Sequence, residues 1–248
     1  MVVSVIIPVF NRAVEIRGAV ASVLRQACVL PIDVLIVDDG SDAETQQVLT
    51  ALAALDSRVR VVRRDNGGAA AARNTGLDNL LPETAFVTFL DSDDLMAPDR
   101  FASDLAVLID SPEIMMTYGD MVITLGLDRD ALTIPADAPQ FQLTGVHMAC
   151  CLYRPELITE IGRFDETLEM AEDTDFIFRT FEIGINYCQT KTVCHYYLRH
   201  PGNMTVDNKD TAKWFNRALI RSVKRRKTDP TRRLVKPEFN VEFPKEFW

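Results

Sequence analysis

Long apolar runs are absent from this 248-residue chain. Its most hydrophobic opening, MVVSVIIPVFNR, is interrupted by Pro8 and Asn11 far short of the roughly 20 residues that a membrane helix needs, and no basic residues precede it. It reads as neither a signal peptide nor an anchor. Cysteine is scarce and unpatterned: Cys28, Cys150, Cys151, Cys188 and Cys194 are odd in number, two are adjacent, and none forms a CxxC pair. That argues against a disulfide scaffold and a CxxC zinc or redox site, and predicts reduced thiols in a cytoplasmic protein. Positive charge is in deficit, with 27 Lys+Arg against 36 Asp+Glu for a net −9, so a dedicated nucleic-acid binder is not expected. Neither the GxGxxG nor the P-loop spacing occurs, which lowers dehydrogenase and kinase-like readings.

What is present is ordinary globular composition, 47% hydrophobic and 25% charged, in a length suited to one large or two small domains. Val2 to Val9 and Ile32 to Asp38 are β-branched runs bounded by turn formers, as fully buried parallel strands are. Helical spacing of Val14, Ile16, Val20, Val23 and Leu24 lies between them. A helix over 43–55, a strand over 59–62, a helix over 69–80 and a strand over 85–90 continue the alternation. This predicts a doubly wound, mostly parallel α/β sheet, in which ligands sit beyond the carboxyl ends of the strands. Further on, a helix over 98–109, extended chain over 114–124, a loop over 126–142, strands over 146–153 and 192–198 and a helix over 172–183 are expected.

Polar clusters fall at the predicted strand ends. Asp38-Asp39-Gly40-Ser41 can hydrogen-bond a base or sugar edge beside a helix N-terminus, or can simply form a turn with Asp42 as the helix cap. Asn66-Gly67-Gly68-Ala69-Ala70-Ala71-Ala72-Arg73 lets backbone approach a ligand and offers Arg73 to a phosphate or carboxylate, although tight packing of an Ala-rich helix explains the same residues. Asp91-Ser92-Asp93-Asp94 ends an apolar strand with carboxylates that repel one another unless a cation compensates, and an oxygen set such as Asp91 and Asp93 suits Mg²⁺ or Mn²⁺. Glu172-Asp173-Thr174-Asp175 opens a helix with more acids than capping needs, which suggests a general base.

Taken in order, SVIIPVFNR, VLIVDDGSDAET, NGGAAAARNTGL, FVTFLDSDDLMAPD and GRFDETLEMAEDTDFIFR closely resemble glycosyltransferase family 2, over roughly residues 2–205. The resemblance implies a GT-A (Rossmann-like) mostly parallel central sheet flanked by helices, with a small second sheet and a C-terminal helical tail. It also implies an inverting transferase using a nucleotide-sugar, usually a UDP-sugar, and a divalent metal, Mn²⁺ or Mg²⁺. The glycosyltransferase domain is expected over 1–205, with a nucleotide-binding half over 1–94 and an acceptor-binding half over 95–205, followed by a helix and basic tail over 206–248.

Residue by residue, the resemblance assigns Pro8, Val9 and Asn11 to the donor-binding end of the first strand, Asp39 to the uracil edge, and Asn66, Arg73, Asp91 and Ser92 to the nucleotide. Asp91 and Asp93 match the DxD motif, and Asp173 with Glu172 the ED motif, Asp173 being the base. The late segment from Tyr197 to Thr205 resembles a loop that closes over the diphosphate, with Arg199 facing the leaving group and His200 completing the metal shell; His195 is its rival.

Two other classes compete: a nucleotidyltransferase that makes nucleotide-sugars, and a non-catalytic module on the same fold. The acceptor, a glycan or a lipid-linked sugar, is not readable. From Arg217 to Lys236 nine basic residues face one acid, a net of +8, so the rest of the chain carries −17. This stretch is either a solvated face or one that adheres to an anionic membrane at its inner surface. Trp214, Phe215, Phe239, Phe243, Phe247 and Trp248 can dock on the core, on a partner subunit of a homo-oligomer or on a bilayer.

Overall fold

A computed structural model describes residues 1–200, 202–203, 210–232, 234–235 and 237. The first half follows the alternation of the sequence closely: β1 (Val2–Val9), α1 (Glu15–Leu24), β2 (Ile32–Asp38), α2 (Ala43–Leu55), β3 (Val59–Arg63), α3 (Ala69–Asp78) and β4 (Thr84–Phe89). β1, β2, β3 and β4 pair in parallel, in the order β3-β2-β1-β4. Chain order reverses between β1 and β4, and a crevice opens at such a point beyond the strand ends.

β2 is buried along its whole length, which is why its apolar run does not alternate. The alternation of β1 separates two cores. Val3, Val5, Ile7 and Val9 pack with Ile16, Val20 and Val23 of α1, while Ile6 packs with Leu35, Val37, Ala70 and Ala72 on the opposite face. α3 approaches β1 closely, since a Cβ on Gly76 would lie 2.5 Å from the Ile6 side chain.

The remaining elements are β5 (Leu95–Met96), α4 (Arg100–Asp110), β6 (Met116–Thr124), β7 (Gln140–Thr144), β8 (Cys151–Tyr153), α5 (Pro155–Ile161), α6 (Glu172–Glu182), β9 (Tyr187–Leu198) and α7 (Thr211–Thr228). The expected small second sheet is continuous with the first: β8 pairs antiparallel with β4 at Val87 and Tyr153 and with β6 on its other edge, and β9 and β5 follow. Three expectations shift. The strand over 146–153 is only Cys151–Tyr153, because Met148–Cys150 form a 3-10 turn capped by His147. The loop over 126–142 gives way at Gln140 to β7, which pairs with β6. The helix over 98–109 begins at Arg100, after Asp99 adopts a left-handed conformation.

The helix at the C-terminal end runs from Thr211 to Thr228, and three of its region's arginines turn inward. Arg221 pairs with Asp165, Arg225 with Asp175 and Glu182, and Arg232 with Glu182. Trp214 docks on the core beside Leu168 and Met170. Arg233, Lys236, Phe239, Phe243, Phe247 and Trp248, like Pro201, Met204 and Thr205 of the late segment, lie outside the described residues. Among the described residues no helix is long and apolar enough to cross a membrane.

Candidate active site

A cleft of about 560 Å³ opens at the switch point, between the ends of β1, β2 and β4 and the start of α6. Pro8 and Val9 form its floor at the end of β1.

Of the acids after β2, only Asp39 reaches the cleft. Asp38 closes the turn by accepting from the Ser41 amide at 2.8 Å and pairs with Arg63, and Asp42 caps α2 by accepting from the Thr45 amide at 2.9 Å. The turn interpretation therefore holds for those two. Asp39 is fixed by its surroundings: its carboxylate accepts from the Gly67 and Gly68 amides, the latter at 2.8 Å, and from Arg64 at 2.9 Å. Asn66 donates to its carbonyl oxygen. Gly40 is required between them, with φ at +82° and an added Cβ only 2.8 Å from the Asn66 nitrogen. Asn11, also left-handed at φ +52°, accepts from the Asp42 amide and joins the two loops instead of lining the cleft.

Arg73 links the two halves. Held on α3 and almost fully buried, it donates to Glu172 Oε1 at 2.5 Å and to Asp91 Oδ1 at 2.8 Å. Burial opposes its charge, but Asp91, Glu172 and Asp173 outweigh burial and raise its pKa. Burial also pushes the Asp91 carboxyl upward, yet the Arg73 charge prevails and holds it below its ordinary value. Glu172 moves the other way, raised by burial and by neighbouring Asp173 beyond what Arg73 can offset.

Asp93 faces a different set of partners. Its Oδ2 lies 3.2 Å from His200 Nε2 and 3.7 Å from Arg12, while Arg129, from the stretch read as a loop, donates to its carbonyl oxygen. Ser92 lines the cleft beside it. Asp91 and Asp93 line the same cleft and His200 lies against Asp93; oxygen and imidazole donors of this kind suit Mn²⁺ or Mg²⁺, and Arg73 occupies one Asp91 oxygen. His195 sits elsewhere, fully buried and 2.8 Å from Asp94, with burial lowering its pKa to about 4. Arg199 does not line the cleft; its amide donates to the Thr124 carbonyl at the end of β9.

The acids of α6 sort by partner. Asp175 turns inward to Arg179 and Arg225. Glu172 goes to Arg73. Asp173 lines the cleft, accepts from the Thr174 amide, and has no arginine or lysine within ion-pair distance among the described residues. The helix is aimed by Asn74 of α3, which clasps both the amide and the carbonyl of Phe164, and by the stacking of Phe164 on Phe176 at 4.2 Å. Ala171, just before the helix, is left-handed at φ +62°, a conformation that costs a non-glycine residue about 1–3 kcal/mol and that persists at a cleft wall.

Arg64, Arg12, Arg129 and His147 are site residues that sequence reasoning did not single out. Only Arg64, two residues past a predicted strand end, carried a signal in its position.

A parallel nucleotide-binding sheet that continues into antiparallel strands, with acids gathered at the switch point, is the GT-A fold. The sequence matches the family described as Glycosyl transferase family 2 over residues 4–160, and the chain belongs to that family. Among curated relatives, the succinoglycan biosynthesis protein ExoW of Rhizobium meliloti is 31% identical over 198 residues, which are 71% of this chain and 61% of the relative. Solved structures share the fold. S. aureus TarS 1-349, in complex with UDP-GlcNAc, has a TM-score of 0.67 and 21% identity over 89% of this chain and 66% of that chain. The mannosyltransferase PcManGT of Pyrobaculum calidifontis, in complex with GDP-Man and Mn²⁺, has a TM-score of 0.59 and 18% identity over 92% of this chain and 64% of that chain. The chain spans between 16% and 61% of the length of the curated relatives it matches.

Proposed function

We propose that this chain is the transferase domain of an inverting enzyme that moves a sugar from a UDP-sugar to an acceptor hydroxyl in the synthesis of a cell-surface polysaccharide or glycan. The observation that carries this reading is Arg73, which ties an acid of the nucleotide half to an acid of α6 and so holds Asp39, Asp91, Asp93 and Asp173 around one cleft. Residues 1–94 bind the donor and 95–205 the acceptor.

Asp39, immobilised by two amides and Arg64, serves as a fixed acceptor for an N–H of the nucleotide base. Pro8, Val9, Asn66 and Ser92 shape the nucleotide wall, and Asn11 acts indirectly by joining the β1 and β2 loops. Asp173, on the opposite wall and without a basic partner, takes the proton of the acceptor hydroxyl as that oxygen attacks the anomeric carbon from the face away from the diphosphate. One displacement inverts the centre. Glu172 orients Arg73. Asp91, Asp93 and His200 would hold a divalent cation, Mn²⁺ or Mg²⁺, which when bound supplies several kcal/mol of charge stabilisation on the departing phosphate.

Incubation with a panel of UDP-sugars and Mn²⁺ tests this reading through sugar transfer or slow hydrolysis. Silence across UDP-, GDP- and dTDP-sugars would favour a non-catalytic module, and pyrophosphate release from a nucleoside triphosphate and a sugar-1-phosphate would favour a nucleotidyltransferase.

The outer face of α7 suggests where the acceptor is met. Phe215, Leu219 and Ile220 are exposed on a helix that carries no acid, and Lys213, Arg217, Lys224, Arg226 and Lys227 stand apart from the inward arginines. Such a face suits an anionic membrane that bears a lipid-linked acceptor, with each basic residue near the surface contributing about 1 kcal/mol.

A further inference from the structure

Behind the cleft wall, the two histidines not used above lie with a cysteine. His147 and Cys150 bracket the 3-10 turn Met148–Cys150, and His195 comes from β9. A 3-10 turn repeats every three residues, so the HxxC spacing places the imidazole and the thiol on one side. One ligand atom from each of the three residues lies within 4.8 Å of those from the other two. The two imidazoles stack at 5.3 Å and 13°.

The hydrogen bonds leave the right atoms free. Asp94 Oδ2 holds His195 Nε2 at 2.8 Å, and His195 Nδ1 is buried with no partner. His147 Nδ1 accepts from the Ala149 amide, which leaves Nε2. A carboxylate behind a histidine, fixing its ring and leaving the far nitrogen bare, is the usual outer shell of a metal-bound imidazole. One buried cation, Arg100, acts on both Cys150 and His195, and acids surround it. Arg100 is ion-paired to Asp104, while Asp94 and Asp120, both buried, have no arginine or lysine partner among the described residues.

We propose that His147, Cys150 and His195 form a second metal site, separate from the Asp91 and Asp93 acids, that takes a thiophilic divalent ion of the zinc type. Tetrahedral bonds of about 2.0–2.3 Å put ligand atoms about 3.5 Å apart, so the three side chains draw together by about 1 Å on binding. The Cys150 proton leaves to solvent as its thiolate binds the ion. His147 lines the cleft and is only part-buried, which provides a path of entry and leaves the fourth position to water. This inference does not depend on the transferase reading.

The test uses the full chain, stripped with a chelator and titrated with Co²⁺, whose thiolate charge-transfer absorption reports a sulfur ligand. The expected result is one Co²⁺ per chain with that band, displaced by Zn²⁺, retained in Asp93→Ala and lost in Cys150→Ala. Asp94→Asn should weaken Co²⁺ binding about 10- to 100-fold. No band in the wild type, or a band that survives in Cys150→Ala, overturns the proposal. Should Cys150→Ala fail to fold by circular dichroism, His147→Asn carries the comparison, and an unchanged affinity and band there are equally fatal. Because Asp93→Ala removes the donor-site ligand and spares this signal, the two readings fail separately.

Discussion

Replacing Arg73 with methionine keeps the aliphatic stem and removes the charge that joins Asp91 to Glu172. A hydrogen bond to a charged group contributes about 1.5–3 kcal/mol. The Asp91 contact belongs at the low end because that side chain is 31% exposed, whereas Glu172 is 11% exposed. The expected loss at neutral pH is about 3 kcal/mol, the lower bound for a buried pair deprived of one partner. For a chain of this size that lowers Tm by about 6–12 °C. The pH dependence gives the sharper check. Asp91 is held below its ordinary pKa, so its contact stabilises the wild type at neutral pH, and that contribution is lost as pH falls and Asp91 takes up a proton. Glu172 lies above its ordinary value, so its charge already opposes folding once pH exceeds the unfolded pKa, and it opposes folding more when Arg73 is gone. The deficit of Arg73→Met should therefore be largest at neutral pH and smaller at mildly acidic pH, where Glu172 takes up a proton. Urea unfolding at both pH values, with Glu172→Gln and the double variant, measures this. A loss below about 0.5 kcal/mol, or a deficit that is equal at both pH values and unrelieved by Glu172→Gln, would refute the reasoning.

Asp173→Asn should retain UDP binding by calorimetry while transfer falls about 10²- to 10⁴-fold, the usual contribution of a positioned base; affinity lost in step with activity would make Asp173 a donor-binding residue instead. Asp93→Ala should remove the metal-dependent part of donor binding, and equal UDP-sugar affinity of the wild type with and without EDTA would contradict the assignment of Asp91 and Asp93. Gly76→Ala should destabilise by about 1–3 kcal/mol through overpacking, with a smaller penalty in an Ile6→Ala background, where the Cγ2 that the new methyl meets is gone, both read from chemical denaturation. Sedimentation with anionic vesicles should show binding at low salt that weakens in high salt and in Lys224→Glu/Lys227→Glu; no binding at low salt would end the membrane reading of α7.

The elements legible in the sequence were those whose burial is settled locally. β1 and β2 are rich in β-branched residues because neighbours cover them on both sides, and α2 announces its start through Asp42. The acids after β2 and β4 stood out because so much like charge at strand ends needs a reason. β8 did not, since three residues leave no periodicity, however well they pair with β6. β7 hid in a polar, Pro-containing stretch because β6 alone pairs with it. The inward turn of Arg221, Arg225 and Arg232 was equally hidden, because their partners Asp165, Asp175 and Glu182 lie about 50 residues away in the chain. Arg73 was visible as a candidate, but its bond to Glu172, 99 residues on, was not.

The meeting of β4 and β8 has a mechanical meaning. A sheet resists bending where its ladders are long and yields where they are short, and here the two parts of the nine-stranded sheet share a single residue pair, Val87 with Tyr153. Arg100 rivets that line from one side, donating to both Thr88 and the Cys151 carbonyl. Shear along it would act first on the span between Asp91 and Asp173, the two walls of the cleft, leaving the parallel strands under Asp39 undisturbed. The single pair is the narrowest join in the sheet, and Arg73 is the strut that spans the cleft above it.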